Sequence, residues 1–88
     1  MSGVSVVNHL YAVANSCGLP LEFPEAENPS TAVNIVSGGP RMRSNGDSAS
    51  WEWIVVPVTP EQRSQIQAMP ADQVVAHLLT LPGVVGYL

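Results

Sequence analysis

The side chains that could catalyse a reaction or bind a metal ion are few in this chain of 88 residues. They are two histidines, His9 and His77, the single cysteine, Cys17, and three glutamates, Glu22, Glu25 and Glu27. A general base or a metal site needs several such groups to converge, and no spacing in the sequence pairs the two histidines. The glutamates lack the spacing of a calcium-binding loop. The sequence therefore predicts no catalytic centre, no metal site and no cofactor.

The single cysteine and the apolar segments bear on where the protein works. Cys17 falls on the apolar side of a predicted N-terminal helix, which favours a buried structural thiol over a nucleophile. A lone cysteine is typical of a reducing compartment. No apolar stretch approaches the roughly 20 residues of a membrane-spanning helix, and no basic segment precedes the first apolar residues as in a secretory signal. We therefore expect a protein of the cytoplasm, or of a particle assembled there, without membrane contact.

Two of the three positive residues, Arg41 and Arg43, lie in one segment, SGGPRMRSNGDSASWEW, which also contains Trp51. Arginine and tryptophan are among the commonest residues at the energetic centres of protein interfaces. A phosphate-binding loop is not favoured, because no helix start follows the glycine pair and the P-loop pattern does not occur. Two interpretations stay open. Either Arg41, Arg43 and Trp51 contact a partner protein, or the arginines guard a sheet edge against pairing.

The overall composition is poor in charge. Charged residues are 11% of the chain and lysine does not occur, whereas about 25% is typical of soluble domains. Interfaces are depleted in charge at their centres, so the deficit indicates a surface that a partner covers, although drift in a GC-rich genome explains it equally well. Seven acidic residues against three arginines give a net charge of −4. Nucleic-acid binding needs basic residues that displace counterions from phosphates, so we expect no nucleic-acid partner.

The first third of the chain is predicted to contain one helix. Apolar residues at helical spacing predict this helix over residues 2–17, capped by Ser2 and ended by Gly18 and Pro20. The proline-rich segment that follows predicts an extended connection with a short edge strand at residues 21–23.

Three strands are predicted next, at residues 31–37, 41–44 and 50–58. The pairs Gly38-Gly39 and Asn45-Gly46 between them are typical hairpin dipeptides. The result would be an antiparallel meander in which both arginines point away from the core and Met42 points inward. One long hairpin loop is the alternative.

The C-terminal third is predicted to be helical. Thr59-Pro60-Glu61-Gln62 has the residues of a capping box and predicts a helix over residues 60–68. A second apolar stripe predicts a helix over residues 70–81, and the tail VVGYL either forms a short strand or simply packs. The whole chain is predicted to be one small α+β domain: an N-terminal helix, an antiparallel meander of about three strands, and two short helices packed on one face.

These features favour a non-enzymatic protein that binds other protein chains, or copies of itself, as a small assembly or accessory subunit. Compact, lysine-poor proteins of this size are common in phages and mobile elements, which makes a viral subunit one form of this hypothesis. A small inhibitor of a larger host complex is the second hypothesis. A minor ligand-binding or enzyme domain is the third, and it would need a concave pocket lined by the histidines or the glutamates.

Overall fold

The computed structural model describes residues 7–88 as three helices and an antiparallel sheet of five strands. The elements in chain order are β1 (His9–Asn15), β2 (Leu21–Glu22), β3 (Glu25–Ala26), α1 (Pro29–Ser37), β4 (Trp53–Pro57), α2 (Pro60–Gln67), α3 (Ala71–Leu78) and β5 (Val85–Tyr87). The sheet order is β2-β1-β4-β5, and β3 also pairs with β1. The predicted α+β class is therefore confirmed.

The two central strands, β1 and β4, form the middle of the sheet. They pair antiparallel over five residues each. Residues 11–14 and 53–56 are all buried. Because side chains alternate between the two faces of a strand, burial of consecutive residues means that both faces of the sheet are covered here.

A helical layer covers each face of the sheet. On one side, the α1 face, helix α1 buries Ala32 and Val33 against the strands. On the opposite side, the α2/α3 face, the other two helices bury Ile66, Val74 and Leu78. The two C-terminal helices thus share one face, as predicted, whereas the helix on the other face is unexpected. None of the helices in the described part of the chain is long and apolar enough to cross a membrane.

The prediction of a helix over residues 2–17 is wrong for the described part of that range, which forms strand β1; Ser2 lies outside the described residues. Residues 10–14 are all apolar, and a short apolar run does not distinguish a buried strand from a helix. Pairing with β4 and burial on both faces favour the strand. Gly18, with a φ of +98°, lies in the turn from β1 to β2 instead of ending a helix.

The predicted strand at residues 31–37 is instead the greater part of helix α1. Asn28 caps this helix, since its Oδ1 accepts a hydrogen bond of 2.8 Å from the Thr31 N–H. Pro29 suits the first helical turn, and Gly38 ends the helix with a φ of +82°. The same residue types are also turn signals, so the segment between them is ambiguous in the sequence.

The predicted three-stranded meander is not formed. Its last strand is β4, which is shorter than predicted because Asp47 caps a single 3-10 turn at Ser48–Ser50 ahead of it. Its middle strand, residues 41–44, is reduced to one β-bridge with β5. The C-terminal tail accordingly forms a strand, one of its two predicted alternatives, and lies between β4 and this bridge. The short edge strand predicted at residues 21–23 is present as β2.

The two C-terminal helices form as predicted, although α3 is shorter at both ends. The capping box is complete: the Gln62 N–H donates to Thr59 Oγ1 at 3.1 Å, and the Thr59 N–H donates to Gln62 Oε1 at 2.9 Å. Pro60 follows in the first helical turn, where its missing N–H costs nothing.

We expect Thr59→Ala to lower the free energy of unfolding by about 1 kcal/mol, because the Gln62 N–H loses its acceptor. Ser64→Ala in the same helix is the control, since the exposed Ser64 hydroxyl only donates back to the Pro60 carbonyl. Its effect should stay within about 0.5 kcal/mol. Urea or thermal unfolding measures both variants. Equal midpoints for Thr59→Ala and the wild type would contradict the capping role.

Candidate functional site

The arginine-containing segment forms one edge of the sheet, here called the arginine edge (residues 41–44). It runs antiparallel to β5, with Arg43 directly opposite Tyr87. The flanking hydrogen bonds run from the Leu88 N–H to the Met42 carbonyl at 2.8 Å and from the Ser44 N–H to the Gly86 carbonyl at 2.9 Å. This pattern directs the N–H and C=O of Arg43 away from the sheet. Within residues 7–88 these two groups make no backbone hydrogen bond.

Arg41 is held in place on the α1 face. Its guanidinium carbon lies 5.7 Å from the centroid of the Trp53 ring, a cation–π distance. Its backbone N–H donates to Asn34 Oδ1 of helix α1 at 3.0 Å. The side chain is half-buried, and its Nε is shielded from solvent without an acceptor in the described residues. The hydrogen bonds formed within residues 7–88 include none from its two terminal nitrogens.

Arg43 is exposed and lies on the same face as Arg41, because it is opposite Tyr87, a buried residue of the α1 face. Burial raises the pKa of Tyr87, and the nearby Arg43 guanidinium partly offsets that rise. Neither arginine forms a salt bridge within residues 7–88. The two guanidinium groups therefore share one face of the sheet edge, as strand alternation predicts, and neither is neutralised by a neighbouring carboxylate.

Trp51 lies on the opposite, α2/α3 face, so the structure does not bring it together with the arginines. It is half-buried over Gly86, and its Nε1–H donates to the Gly46 carbonyl at 3.1 Å. A Cβ atom at position 86 would overlap the indole, so only glycine fits beneath it. Trp53 is the tryptophan that contacts Arg41. No local pattern in the sequence distinguishes the two tryptophans, because the contact arises from how distant segments pair.

The orientation of the arginine edge is the reverse of the predicted one. Alternation in a meander predicts Met42 inward, but 74% of Met42 is exposed, whereas Arg41 packs against the buried Trp53. Pairing with β5, and not with a strand at residues 31–37, decides which side chains face helix α1. A change of one residue in register exchanges the two faces of a strand.

The loop after the arginine edge is closed by its own side chains. Neither Asn45 nor Gly46 has the positive φ that a tight hairpin turn would require. The Gly46 N–H donates to Ser44 Oγ at 3.3 Å, and the Ala49 N–H donates to Asp47 Oδ1 at 3.2 Å. The pair Gly38-Gly39 therefore ends helix α1, and the pair Asn45-Gly46 lies in a polar loop. Neither pair forms a hairpin.

The reactive side chains lie on other elements. His9 is exposed at the start of β1, with its ring centroid 6.3 Å from that of Tyr11. His77 is half-buried on α3, and its Nε2 is shielded without a hydrogen-bond partner in the part of the chain that the structure describes. The prediction that Cys17 is buried is wrong. It is exposed in the turn after β1, where no helix forms, and its Sγ lies 3.1 Å from the Leu19 carbonyl.

The three glutamates, Glu22, Glu25 and Glu27, are exposed at the end of the sheet opposite the arginines. Residues 7–88 contain no group of three side chains placed to hold a metal ion, and no pocket is found in their surface. Glu22 and Glu25 belong to the outermost strands, β2 and β3. The structure therefore places acidic and basic side chains at the two opposite edges of one sheet.

Comparisons with protein-family models, curated proteins and solved structures find no match for this chain. Its function must therefore be inferred from the chemistry and geometry of the described residues.

We expect Gly86→Ala to displace the Trp51 indole, because the added methyl group would occupy its position. The loss of packing and of the Nε1–H bond to the Gly46 carbonyl should cost about 1–3 kcal/mol. Gly39→Ala is the control, since nothing lies within 4 Å of a Cβ at that position. Unfolding measurements and the tryptophan emission maximum report the change. Identical behaviour of both variants would show that the indole does not lie over Gly86.

Alkaline pH should destabilise the fold, because burial raises the pKa of both Tyr11 and Tyr87 above the usual value of about 10. Above about pH 10 the unfolded chain loses its phenolic protons while the folded chain keeps them. The folded state then binds more protons, so its stability falls as the pH rises. This contribution is complete below the unfolded pKa and is lost as the pH rises through the raised folded pKa.

Tyr87→Phe should reduce the slope of the unfolding free energy against pH in the alkaline range, which urea unfolding at a series of pH values would measure. Arg43→Ala should raise the pKa of Tyr87 further, because it removes the charge that favours the phenolate. An ultraviolet titration of the phenolate detects that shift. An alkaline slope that Tyr87→Phe leaves unchanged would contradict the assignment to this residue.

Proposed function

We propose that this chain is a non-enzymatic protein-binding subunit of a larger assembly, and that Arg41 and Arg43 on the arginine edge contact its partner. The observation that carries the proposal is the state of Arg41. Its guanidinium is held against Trp53, while its terminal nitrogens find no hydrogen-bond acceptor among residues 7–88. Such an arginine is already placed for a ligand that residues 7–88 do not supply.

Fixing Arg41 in advance makes its contact with a partner stronger. A free arginine side chain has about 2 kcal/mol of rotamer entropy to lose when it is fixed. Contact with the Trp53 ring limits that freedom before binding, and the bond to Asn34 fixes the backbone beneath it. Because Nε is shielded, a ligand must approach the two terminal nitrogens end-on. A carboxylate fits this approach with two parallel hydrogen bonds, so an Asp or Glu side chain of the partner is the best match.

The surroundings of Arg41 resemble the composition of protein interfaces. Arg43 adds a second positive charge on the same face, and Met42 exposes 74% of its surface on the other face. Arginine and methionine are both enriched at interfaces, whereas lysine is depleted. The chain has no lysine, and its charged fraction is only 11%. A surface that is covered in use accounts for both features.

Replacing Arg41 and Arg43 together by alanine tests this proposal. We expect partner binding to weaken by at least about 1 kcal/mol, or roughly fivefold, and wild-type binding to weaken with added salt. Arg63→Ala is the matched control, because it removes the third arginine, an exposed residue of α2. Affinity capture from cells that encode the protein, with each variant as bait, identifies the proteins that depend on the arginine edge.

Proteins captured by the wild type and by Arg63→Ala, but not by the double variant, would support the proposal. Equal capture by all three baits would contradict the proposal and favour the alternative, in which the arginines prevent pairing at a sheet edge. A small inhibitor would use the same contacts, and the stoichiometry and activity of the captured complex would identify it as one.

A further inference from the structure

The edge of the sheet opposite the arginines, here called the acidic edge (residues 20–26), has no strand paired to its outer side within residues 7–88. These residues oppose residues 9–15 in one continuous antiparallel register, although only β2 and β3 are regular strand. Two hydrogen bonds connect the ladder where it is interrupted, from the N–H groups of Tyr11 and Asn15 to the carbonyls of Pro24 and Pro20 at 3.0 and 3.2 Å. The segment is therefore one edge strand that spans both short pieces.

The outer side of the acidic edge carries backbone groups that are not hydrogen-bonded within the described part of the chain. Successive residues of a strand direct their N–H and C=O alternately to one side and the other. Pro20 and Pro24 face β1, so Leu21, Phe23 and Glu25 direct their groups outward. Their three N–H groups donate no hydrogen bond within residues 7–88. The prolines leave this side intact, because the N–H that each lacks would have pointed inward.

The two open edges carry opposite charges. Glu22 and Glu25 are exposed on the acidic edge, and Arg41 and Arg43 are two of the three positive residues of the chain. Like charges across a pair of strands are destabilising and opposite charges are stabilising, so each edge disfavours its own kind and favours the other. We propose that the acidic edge of one molecule pairs with the arginine edge of a second copy of this chain. This inference rests on the proposed function and identifies the partner of the arginine edge.

The direction of the strands permits this contact. Three strands, β1, β4 and β5, separate the two edges, and every neighbouring pair is antiparallel. An odd number of intervening antiparallel strands restores the direction, so both edges run the same way. A second copy that continues the sheet, with its helices on the same faces, therefore pairs in parallel.

One register satisfies the backbone and brings Arg43 level with Glu22, while Arg41 lies level with Pro20. In a parallel pair, the outward residue of one strand bonds to two alternate residues of the other. Arg43 would donate to the Leu21 carbonyl of the second copy and accept from its Phe23 N–H. Its side chain would then lie beside Glu22. Both side chains belong to the α1 face, since Arg43 lies opposite Tyr87 and Glu22 lies opposite the buried Val13 in the same molecule.

The contact joins two different surfaces, so it does not close on itself in a pair. Each added copy leaves one acidic and one arginine edge free at the ends of the assembly. Head-to-tail contacts of this kind generate rings when the rotation closes and filaments when it does not. The backbone bonds would supply affinity, and the Glu22–Arg43 pair would set the register.

Charge exchange tests the pairing. We expect wild-type protein to grow in size with concentration in sedimentation velocity. Arg43→Glu and Glu22→Arg should each raise the concentration needed for association by at least about tenfold, because like charges then face each other. The protein that carries both changes should associate again, because the pair is restored with reversed signs. Arg63→Glu is the control for net charge, and circular dichroism confirms that each variant is folded.

Wild-type protein that stays monomeric at every concentration would overturn the pairing, as would single variants that associate like the wild type or a double variant that does not recover. Suppose the wild type is monomeric and capture of other proteins still depends on Arg41 and Arg43. The proposed function then stands and only the self-pairing fails. Monomeric protein whose capture ignores both arginines would refute both.

Discussion

The antiparallel pairing of β1 with β4 is the interaction on which the rest of the structure depends. These two strands contribute the buried residues of both faces, so each helix packs against side chains that they supply. The chain has no internal disulfide, since its single cysteine is free and exposed. A domain of this size has a thin core, and burying one pair of strands on both faces uses its apolar residues efficiently. Loss of this pairing would separate both helical layers from the sheet.

In the part of the chain that the structure describes, covering both faces leaves the two edges of the sheet as its uncovered parts. The acidic edge presents outward N–H groups at Leu21, Phe23 and Glu25, and the arginine edge presents those of Arg43. At an open edge, a protein either pairs with another strand or carries charged side chains that prevent such pairing. Here the charges differ in sign between the edges. The same feature that prevents pairing of like edges therefore supports pairing of unlike ones.

The sequence predicts those parts of the fold that are specified locally. The capping box at Thr59 requires only four neighbouring residues, and helix α2 begins where they predict. The sequence predicts a helix where strand β1 forms and a strand where helix α1 forms, because both apolar runs are short. In addition, Asn28, Pro29 and Gly38 are signals of turns as well as of helix ends. Pairing with β4 and β5 then decides which segment becomes a strand, and this pairing depends on residues far apart in the chain.

In the candidate site, too, some features follow from neighbouring residues and others depend on the pairing of distant segments. Because the chain has only three positive residues, the sequence alone predicts Arg41 and Arg43 as candidate partner-binding residues. The Trp53 contact could not be predicted, because it depends on a bridge between Arg43 and the distant β5. For the acidic edge, the sequence shows only a group of glutamates. Its outward backbone groups could not be predicted, because they depend on the register against β1.

Amide hydrogen exchange, resolved by residue with NMR, tests most directly whether a covered sheet lies between two open edges that pair with each other. In dilute solution we expect slow exchange in β1 and β4 and fast exchange at the outward amides of Leu21, Phe23, Glu25 and Arg43. At high concentration the amides of Phe23 and Arg43, which donate the hydrogen bonds between two copies, should become protected together. Protection of these two amides already in dilute solution, or fast exchange of both at every concentration while the protein associates, would contradict this arrangement.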